Sequence, residues 1–293
     1  MQKILVTGSK GQLGSELKLL SDNYKAWQFL FTDVGELDVT DKEAVQGFCL
    51  KNAVDIIVNC ASYTAVDRAE EEEEIAMKVN ASAVENLAQT AAENAMFLVH
   101  ISTDYVFDGK NSIPYKEEET PGPISAYSRS KYAGELAFLK HAEKGILLRT
   151  SWLYSAFGLN FVKTMLRLGR ERKELKVVND QIGTPTYAGD LAGAIMSMLI
   201  QKQKISSTEI YHYSNQGVAS WYDFAYHIMR SEKLDCKIHA VPTTEYPLPA
   251  KRPYYSLMDK SKVKRDFGLD IRHWTAALDE CLTNIRNSKQ SKV

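Results

Sequence analysis

The run Ile4-Leu5-Val6-Thr7-Gly8-Ser9-Lys10-Gly11-Gln12-Leu13-Gly14 constrains this chain more than any other segment. An apolar stretch passes straight into glycines at 8, 11 and 14, and Leu13, Leu17 and Leu20 then recur at helical spacing. A strand that turns through glycines into a helix aims backbone N–H groups at the helix N-terminus, where a phosphate is stabilised. Glycine permits both the tight turn and the close approach of backbone to ligand. G-x-x-G-x-x-G in this setting is a spacing variant of the dinucleotide fingerprint, and it places Gly8, Gly11 and Gly14 around a pyrophosphate.

The pattern downstream agrees. Strands are expected at 28–32, 55–59, 97–102 and 146–149, with helices at 42–51, 70–94 and 127–144 between them. The third strand, Asp55-Ile-Ile-Val-Asn59, is apolar without alternation, as in a parallel strand covered on both faces. Regular strand–helix alternation predicts an α/β fold, a Rossmann-type doubly wound parallel sheet with right-handed crossovers. After Arg149 the rhythm changes: helices at 161–173, 188–201 and 221–231, short strands at 176–178 and 210–213, and a Pro-rich loop at 246–253. We therefore expect residues 1–149 to form the dinucleotide-binding domain, with parts of 176–215 returning to it. Residues 150–175 and 216–293 are expected to form a smaller substrate-binding region. The acidic run 70–74 reads as a solvated first turn favoured by the helix dipole.

Composition excludes several classes. The 293 residues are 44% hydrophobic and 25% charged with a net charge of −1, so neither nucleic acid nor an anionic membrane is an expected partner. Cys49, Cys60, Cys236 and Cys281 are isolated, which reads as reduced structural thiols rather than a disulfide framework or zinc site. The first residues already form a strand rather than a signal peptide, and no run is long enough to span a bilayer. A soluble, cytoplasmic protein is expected.

Three residues carry the chemistry. Tyr127 and Lys131, four apart on a helix, share a face. An ammonium beside a phenol favours the tyrosinate and is expected to lower the Tyr127 pKa, so that the phenol serves as general acid to a carbonyl oxygen. Thr103 follows the fourth strand, at the carboxyl edge where ligands bind in open α/β sheets, and its hydroxyl can bond the same oxygen. Asn80 could support Lys131 through water, or simply pack. Asp33 closes the second strand about 20 residues past the glycine turn, where a carboxylate accepts from the adenosine ribose. An acid there favours NAD, since a 2′-phosphate would meet like charge and no Arg stands beside it; a turn residue before Gly35 is the plainer alternative. Asp38 and Val39 are candidates for lining the adenine.

These residues resemble the extended short-chain dehydrogenase/reductases, which use a Ser/Thr, Tyr and Lys trio on a Rossmann fold. Ala61-Ser62-Tyr63-Thr64-Ala65-Val66-Asp67, Ser102-Thr103-Asp104-Tyr105-Val106-Phe107-Asp108-Gly109, Arg149-Thr150-Ser151-Trp152-Leu153-Tyr154 and 179–186 are similar to the dTDP-4-dehydrorhamnose reductase family, as is Arg252-Pro253 followed by Ser256. The resemblance implies reduction of the C4 ketone of a dTDP-4-dehydro-sugar, with NADPH or NADH as cofactor. It makes Tyr127 the proton donor, Lys131 its activator and a ribose ligand, and Thr103 the second bond to the ketone oxygen. Asp104 and Trp152 would contact the sugar, Ala61, Ser62 and Tyr63 would pass under the cofactor, and Asn160 and Arg252 would reach the diphosphate or nucleotide. Some members bind Mg²⁺ through acidic side chains at a dimer contact. Glu16 matches the first of these, but Gly189 and Asn284 stand where the others would be, so no metal is expected and the choice between monomer and homodimer stays open. Two other functions fit the same superfamily: a nucleotide-sugar epimerase, and a non-catalytic subunit similar to the β subunit of methionine adenosyltransferase.

Overall fold

The computed structural model describes residues 1–290. β1 (Gln2–Thr7), α1 (Gln12–Ser21), β2 (Trp27–Phe31), α2 (Lys42–Asn52) and β3 (Ile56–Asn59) alternate first. Then come α3 (Glu73–Met77), α4 (Ala83–Glu93), β4 (Phe97–Thr103), α5 (Ala126–His141) and β5 (Gly145–Thr150). β6 (Leu153–Tyr154), α6 (Phe161–Glu171), β7 (Glu174–Val178), β8 (Ile182–Gly183), β9 (Thr186–Tyr187) and α7 (Ala188–Ile200) lead to β10 (Thr208–His212). β11 (Ala219–Ser220), α8 (Trp221–Ser231), β12 (Lys237–Val241), α9 (Ser261–Phe267) and α10 (Trp274–Gln290) follow.

Six of these strands make one all-parallel sheet in the order β2-β1-β3-β4-β5-β10. Every residue of β3 and β5 is buried, which is why their sequences do not alternate. Leu13 and Leu17 of α1 pack with Leu191 and Ile195 of α7 on one face. On the other, Val45 and Cys49 of α2, Val84 and Leu87 of α4, and Phe138 of α5 close the core. The chain runs from β1 outward to β2 and then returns to β3 on β1's other side, so the strand order reverses between β1 and β3. Ligands of open α/β sheets bind at the carboxyl ends of strands at such a reversal.

A second core is formed by α6, α8 and α10 with Leu175 and Val177 of β7. Residues 176–178, expected as a strand, pair here with β12 in a separate parallel ribbon, while α7 and β10 belong to the main sheet layer. Val263 and Phe267 of α9 also pack into the main core, beside β10, although they lie in the stretch assigned from sequence to the substrate region. Both outcomes follow from nonlocal packing of short apolar segments whose sequences name no partner.

The helix expected over 70–94 is broken. A 3-10 turn at Arg68–Glu70 and α3 lead into a π-helical segment, Lys78–Ser82, before α4 begins. Single π-turns inside helices accompany functional sites more often than chance. Here the segment brings the backbone of Asn80 against α5: a Cβ added to Gly134 would lie 2.0 Å from the Asn80 carbonyl oxygen. Among the described residues no helix is long and apolar enough to cross a membrane.

Gly134→Ala is expected to force these two elements apart and cost about 1–3 kcal/mol, the usual range for overpacking. A lower chemical-denaturation midpoint checks it; an unchanged midpoint would show that α5 can slide freely.

Candidate active site

Tyr127 owes its position to the start of α5. Ser125 Oγ accepts from the Ser128 backbone N–H at 3.2 Å, and Ser128 Oγ accepts from the Ser125 N–H at 2.8 Å, a reciprocal cap around the first turn. The Ala126 N–H donates to Glu70 at 2.9 Å, so a carboxylate also meets the positive end of the helix. The acidic run does more than face solvent. Glu73 takes both Nε (2.9 Å) and Nη2 (3.0 Å) of Arg129 on α5, and Glu72 accepts from the Tyr63 hydroxyl at 2.5 Å and from Arg68. Three of its members clamp α5 and the loop after β3. Composition alone could not separate that from a solvated turn, because the partners lie up to 56 residues away.

The trio converges. Thr103 ends β4, and its hydroxyl donates to Asp104 at 3.1 Å while its oxygen accepts from the Tyr105 N–H at 3.2 Å. The Thr103 hydroxyl stands close enough to the Tyr127 phenol to favour its ionised form. Lys131 Nζ donates to the Ile101 carbonyl at 2.7 Å and reaches Ser62 Oγ at 3.4 Å. All three line one cleft of about 650 Å³ with Gly8, Gly11, Gln12, Leu13, Gly14 and Ser62 on the cofactor side. Asp104, Trp152, Asn160 and Trp221 line its other side.

Burial overrides pairing in the electrostatics. Tyr127 is pushed up to about 12 by loss of water, with the Thr103 bond opposing and the Asp104 carboxyl adding. Burial lowers Lys131 to about 8, opposed by Glu135. The expected fall of the Tyr127 pKa beside Lys131 therefore does not occur: desolvation of the phenolate dominates, and the ammonium is spent on Ile101 and Ser62. The phenol is protonated across neutral pH, the form a proton donor needs. Burial also raises Asp104 to about 7 against its bond from Thr103.

A second cleft of about 450 Å³ continues past the glycines, lined by Asp33, Asp38, Val39, Ala61 and Ser62. Gly8 joins the two clefts at φ +62°, where a Cβ would lie 2.6 Å from the Ala61 nitrogen, so only glycine fits. The two clefts together fit a dinucleotide along the strand-order reversal. Asp33 is less open than its sequence suggests: Oδ2 accepts from the Lys10 N–H at 3.0 Å and Oδ1 from the Val34 N–H at 2.9 Å. The Lys10 ammonium stands beside it on Glu36 at 2.9 Å. Lys10 is thus a cation near Asp33 although no Arg adjoins that residue in sequence; it lies 23 residues upstream and only the fold brings it there. The Asp38 carboxylate accepts from Thr40 N and Oγ1, which hold its pKa down.

Other candidates are placed differently. Tyr63 lines neither cleft; its hydroxyl is turned to Glu72 and its ring packs near Ala126 and Tyr127. Asn160 caps α6 by accepting from the Lys163 N–H and also donates to Gln12 at 3.0 Å, tying the 153–160 loop to the glycine turn. Arg252 forms a bidentate pair with Asp67 at 2.9 and 2.7 Å and lies outside the cleft lining, its charge already matched. Asn80 receives Ser62 Oγ and the Tyr63 N–H and donates to Ser130, organising the segment beneath Lys131 without touching it. Trp221, unmarked in the sequence, stacks on Trp152 at 3.7 Å. Trp152 itself holds a left-handed φ of +46°, uncommon outside glycine and concentrated at functional sites.

The residues at the Mg²⁺ position of some relatives do not fit a cation. Glu16 is buried, with its pKa raised by burial, and accepts from Ser155 Oγ at 2.6 Å and from the Tyr187 hydroxyl. Asn284 donates to that Tyr187 oxygen at 3.1 Å, and a side chain on residue 189 would strike the Tyr187 ring at 2.6 Å. One carboxylate among already bonded neutral groups is too few hard oxygen ligands.

A Rossmann-like sheet, a glycine cradle at its strand-order reversal and a Thr–Tyr–Lys trio across the cleft define a nicotinamide-dependent reductase of the extended short-chain dehydrogenase/reductase class. The chain belongs to the family described as the RmlD substrate binding domain, which matches residues 1–287. It is 42% identical over 289 residues to the dTDP-4-dehydrorhamnose reductase of Aggregatibacter actinomycetemcomitans, covering 95% of this chain and 97% of that one. A dTDP-4-dehydrorhamnose reductase structure from Clostridium acetobutylicum superposes with TM-score 0.92 at 40% identity, over 97% of this chain and all of that one. A Bacillus anthracis homologue of the same name, in complex with NADP, gives TM-score 0.92 at 37% identity over the same shares.

The sign of the Asp104 shift gives a stability test. Its folded value near 7 lies above the unfolded one, so the folded chain binds the extra proton and loses stability as pH rises from about 4 to 7. Asp104→Asn removes that loss and should stabilise the protein at pH 8 relative to pH 5 by on the order of 2 kcal/mol in denaturant titrations. Equal effects at both pH values would mean that the carboxyl titrates normally.

Proposed function

We propose that this chain reduces the C4 ketone of dTDP-4-dehydro-L-rhamnose to dTDP-L-rhamnose, using NADPH or NADH. The observation that carries the reading is the meeting of Thr103, Tyr127 and Lys131 in one cleft between the glycine turn and the Trp152–Trp221 wall. Relatives named for this reaction across nearly their whole length support it.

Gly8, Gly11, Gln12, Leu13 and Gly14 would hold the pyrophosphate, Asp33 with Asp38 and Val39 the adenosine, and Lys131 with Ser62 the nicotinamide ribose. The nicotinamide supplies the hydride when bound. Tyr127, protonated at neutral pH, gives its proton to the C4 oxygen while Thr103 donates a second hydrogen bond to it. Lys131, on the same face of α5, stays on the Ile101 carbonyl and Ser62 and orients the ribose beside the phenol. Asp104 and the Trp152 indole face the sugar, and the stacked tryptophans keep water from that wall. Work on a free sugar nucleotide with a free nicotinamide cofactor places the protein in the cytoplasm as part of the same reading.

Incubation with the dTDP-4-keto sugar and each reduced cofactor should consume the cofactor and yield the 4-hydroxy sugar. No consumption of either cofactor ends the proposal, and turnover on tightly bound oxidised cofactor without added reductant would identify an epimerase. Tyr127→Phe should keep cofactor affinity and fold while turnover falls by about 10²–10⁴; near-normal turnover removes Tyr127 from the mechanism.

Lys10→Met should weaken NADPH binding by roughly three- to fivefold, the upper end of what one exposed charge pair contributes, and leave NADH affinity unchanged. Equal losses measured by cofactor fluorescence would show that Lys10 does not face the 2′ position.

A further inference from the structure

The same stripe of α5 carries a third ionisable group. Tyr127, Lys131 and Glu135 are spaced four apart and all are buried, with Glu135 at 0% exposure. Glu135 Oε1 accepts from Ser102 Oγ at 2.5 Å and from Arg149 Nε at 2.9 Å, and its Oε2 accepts from Arg149 Nη2 at 2.7 Å. Arg149, itself 2% exposed, also reaches the Glu117 carbonyl at 3.4 Å and lies over the Phe107 ring at 5.1 Å. One carboxylate thus ties α5 to the ends of β4 and β5 and to the loop that leaves Thr103. An ion pair this deep repays its desolvation poorly as a stabiliser; well-packed apolar residues would serve the fold as well.

We propose that Glu135 is a positioning residue for the reaction: clamped by Arg149 and Ser102, it sets the height of α5 against β4 and presents a buried negative charge to Lys131. The inference rests on the functional reading above. Lys131 sits one turn from Glu135, and its ammonium donates to the Ile101 carbonyl and to Ser62, neither of them charged. The ionisable groups around it are Tyr127 and Glu135 on α5, His100 on β4 with Asp104 just beyond, Arg149 on β5 behind Glu135, and Cys60 and Tyr63 after β3. His100 is held neutral by burial and by the Lys131 charge, and burial keeps the Cys60 thiol protonated at about 12. Asp104 is the other acid, and it is bonded to Thr103. Glu135 is therefore the anion that favours the charged form of Lys131.

Glu135→Gln alone strands a buried guanidinium and threatens the fold. The test therefore uses the double variant Glu135→Gln/Arg149→Met, which removes both charges, and Arg149→Lys, which keeps the carboxylate but breaks the fork. For the double variant we expect NADH affinity at pH 6 within twofold of the parent. The midpoint at which NADH affinity declines with rising pH, measured without sugar, should move to lower pH, and kcat should fall about tenfold, as small misplacements of catalytic groups do. Arg149→Lys should keep the parent midpoint and lose kcat several-fold. Parent midpoint and kcat within twofold in the double variant would overturn the proposal. If that variant does not fold, Arg149→Lys with full kcat and only a lowered denaturation midpoint overturns it equally. A parent protein that reduces no sugar, yet whose NADH midpoint shifts in the double variant, would sink the functional reading and leave the Glu135 assignment standing.

Discussion

The docking of α5 against β4 is the contact on which the site depends. On the strand side of α5, Lys131 Nζ lies 2.7 Å from the Ile101 carbonyl, and on its other side Gly134 lets the helix approach the π-segment until a methyl group would overlap the Asn80 carbonyl. With the helix at that height, the phenol of Tyr127 meets Thr103 at the strand end and the Glu135 carboxylate meets Ser102. Each contact uses a different turn of one stripe, so sliding the helix would break them together. The π-segment at Lys78–Ser82 belongs to the same arrangement, because it presents Asn80 to Ser62, Tyr63 and Ser130 at once.

Electrostatics in the cleft are governed by loss of water more than by pairing. Tyr127 rises, Lys131 falls and Asp104 rises, each chiefly through burial. The outcome keeps the Tyr127 phenol protonated and Lys131 still mostly cationic near neutral pH, as the proposed proton transfer to a ketone oxygen requires. It also explains why the buried Arg149 guanidinium is clamped by Glu135. Unclamped, it would carry the full cost of desolvation.

Polar side chains also join the two halves of the molecule. Asn160 caps α6 and reaches Gln12 beside the glycine turn, while Ser155 donates to Glu16 on α1. Asp67, in the loop after β3, holds Arg252 from the Pro-rich segment near the chain's other end. Residues far apart in the chain are thus tied to one another around the cleft.

Local order was legible from the residues themselves. The apolar run into Gly8, Gly11 and Gly14 could fold only as a strand, turn and helix, because both the backbone freedom of glycine and the apolar periodicity are local properties. The i, i+4 relation of Tyr127 and Lys131 needed nothing beyond a helix. Tertiary structure decided the rest. The acidic run became a set of clamps, Lys10 became the cation beside Asp33, Arg252 was neutralised by Asp67, Trp221 came to stack on Trp152, and a long helix broke at Asn80. In most of these the partners are separated by tens of residues or more, and which ones meet is set by packing of the whole sheet and its helices. Burial then reversed the expected direction of the Tyr127 shift, since desolvation depends on every neighbour at once and no spacing in the chain encodes it.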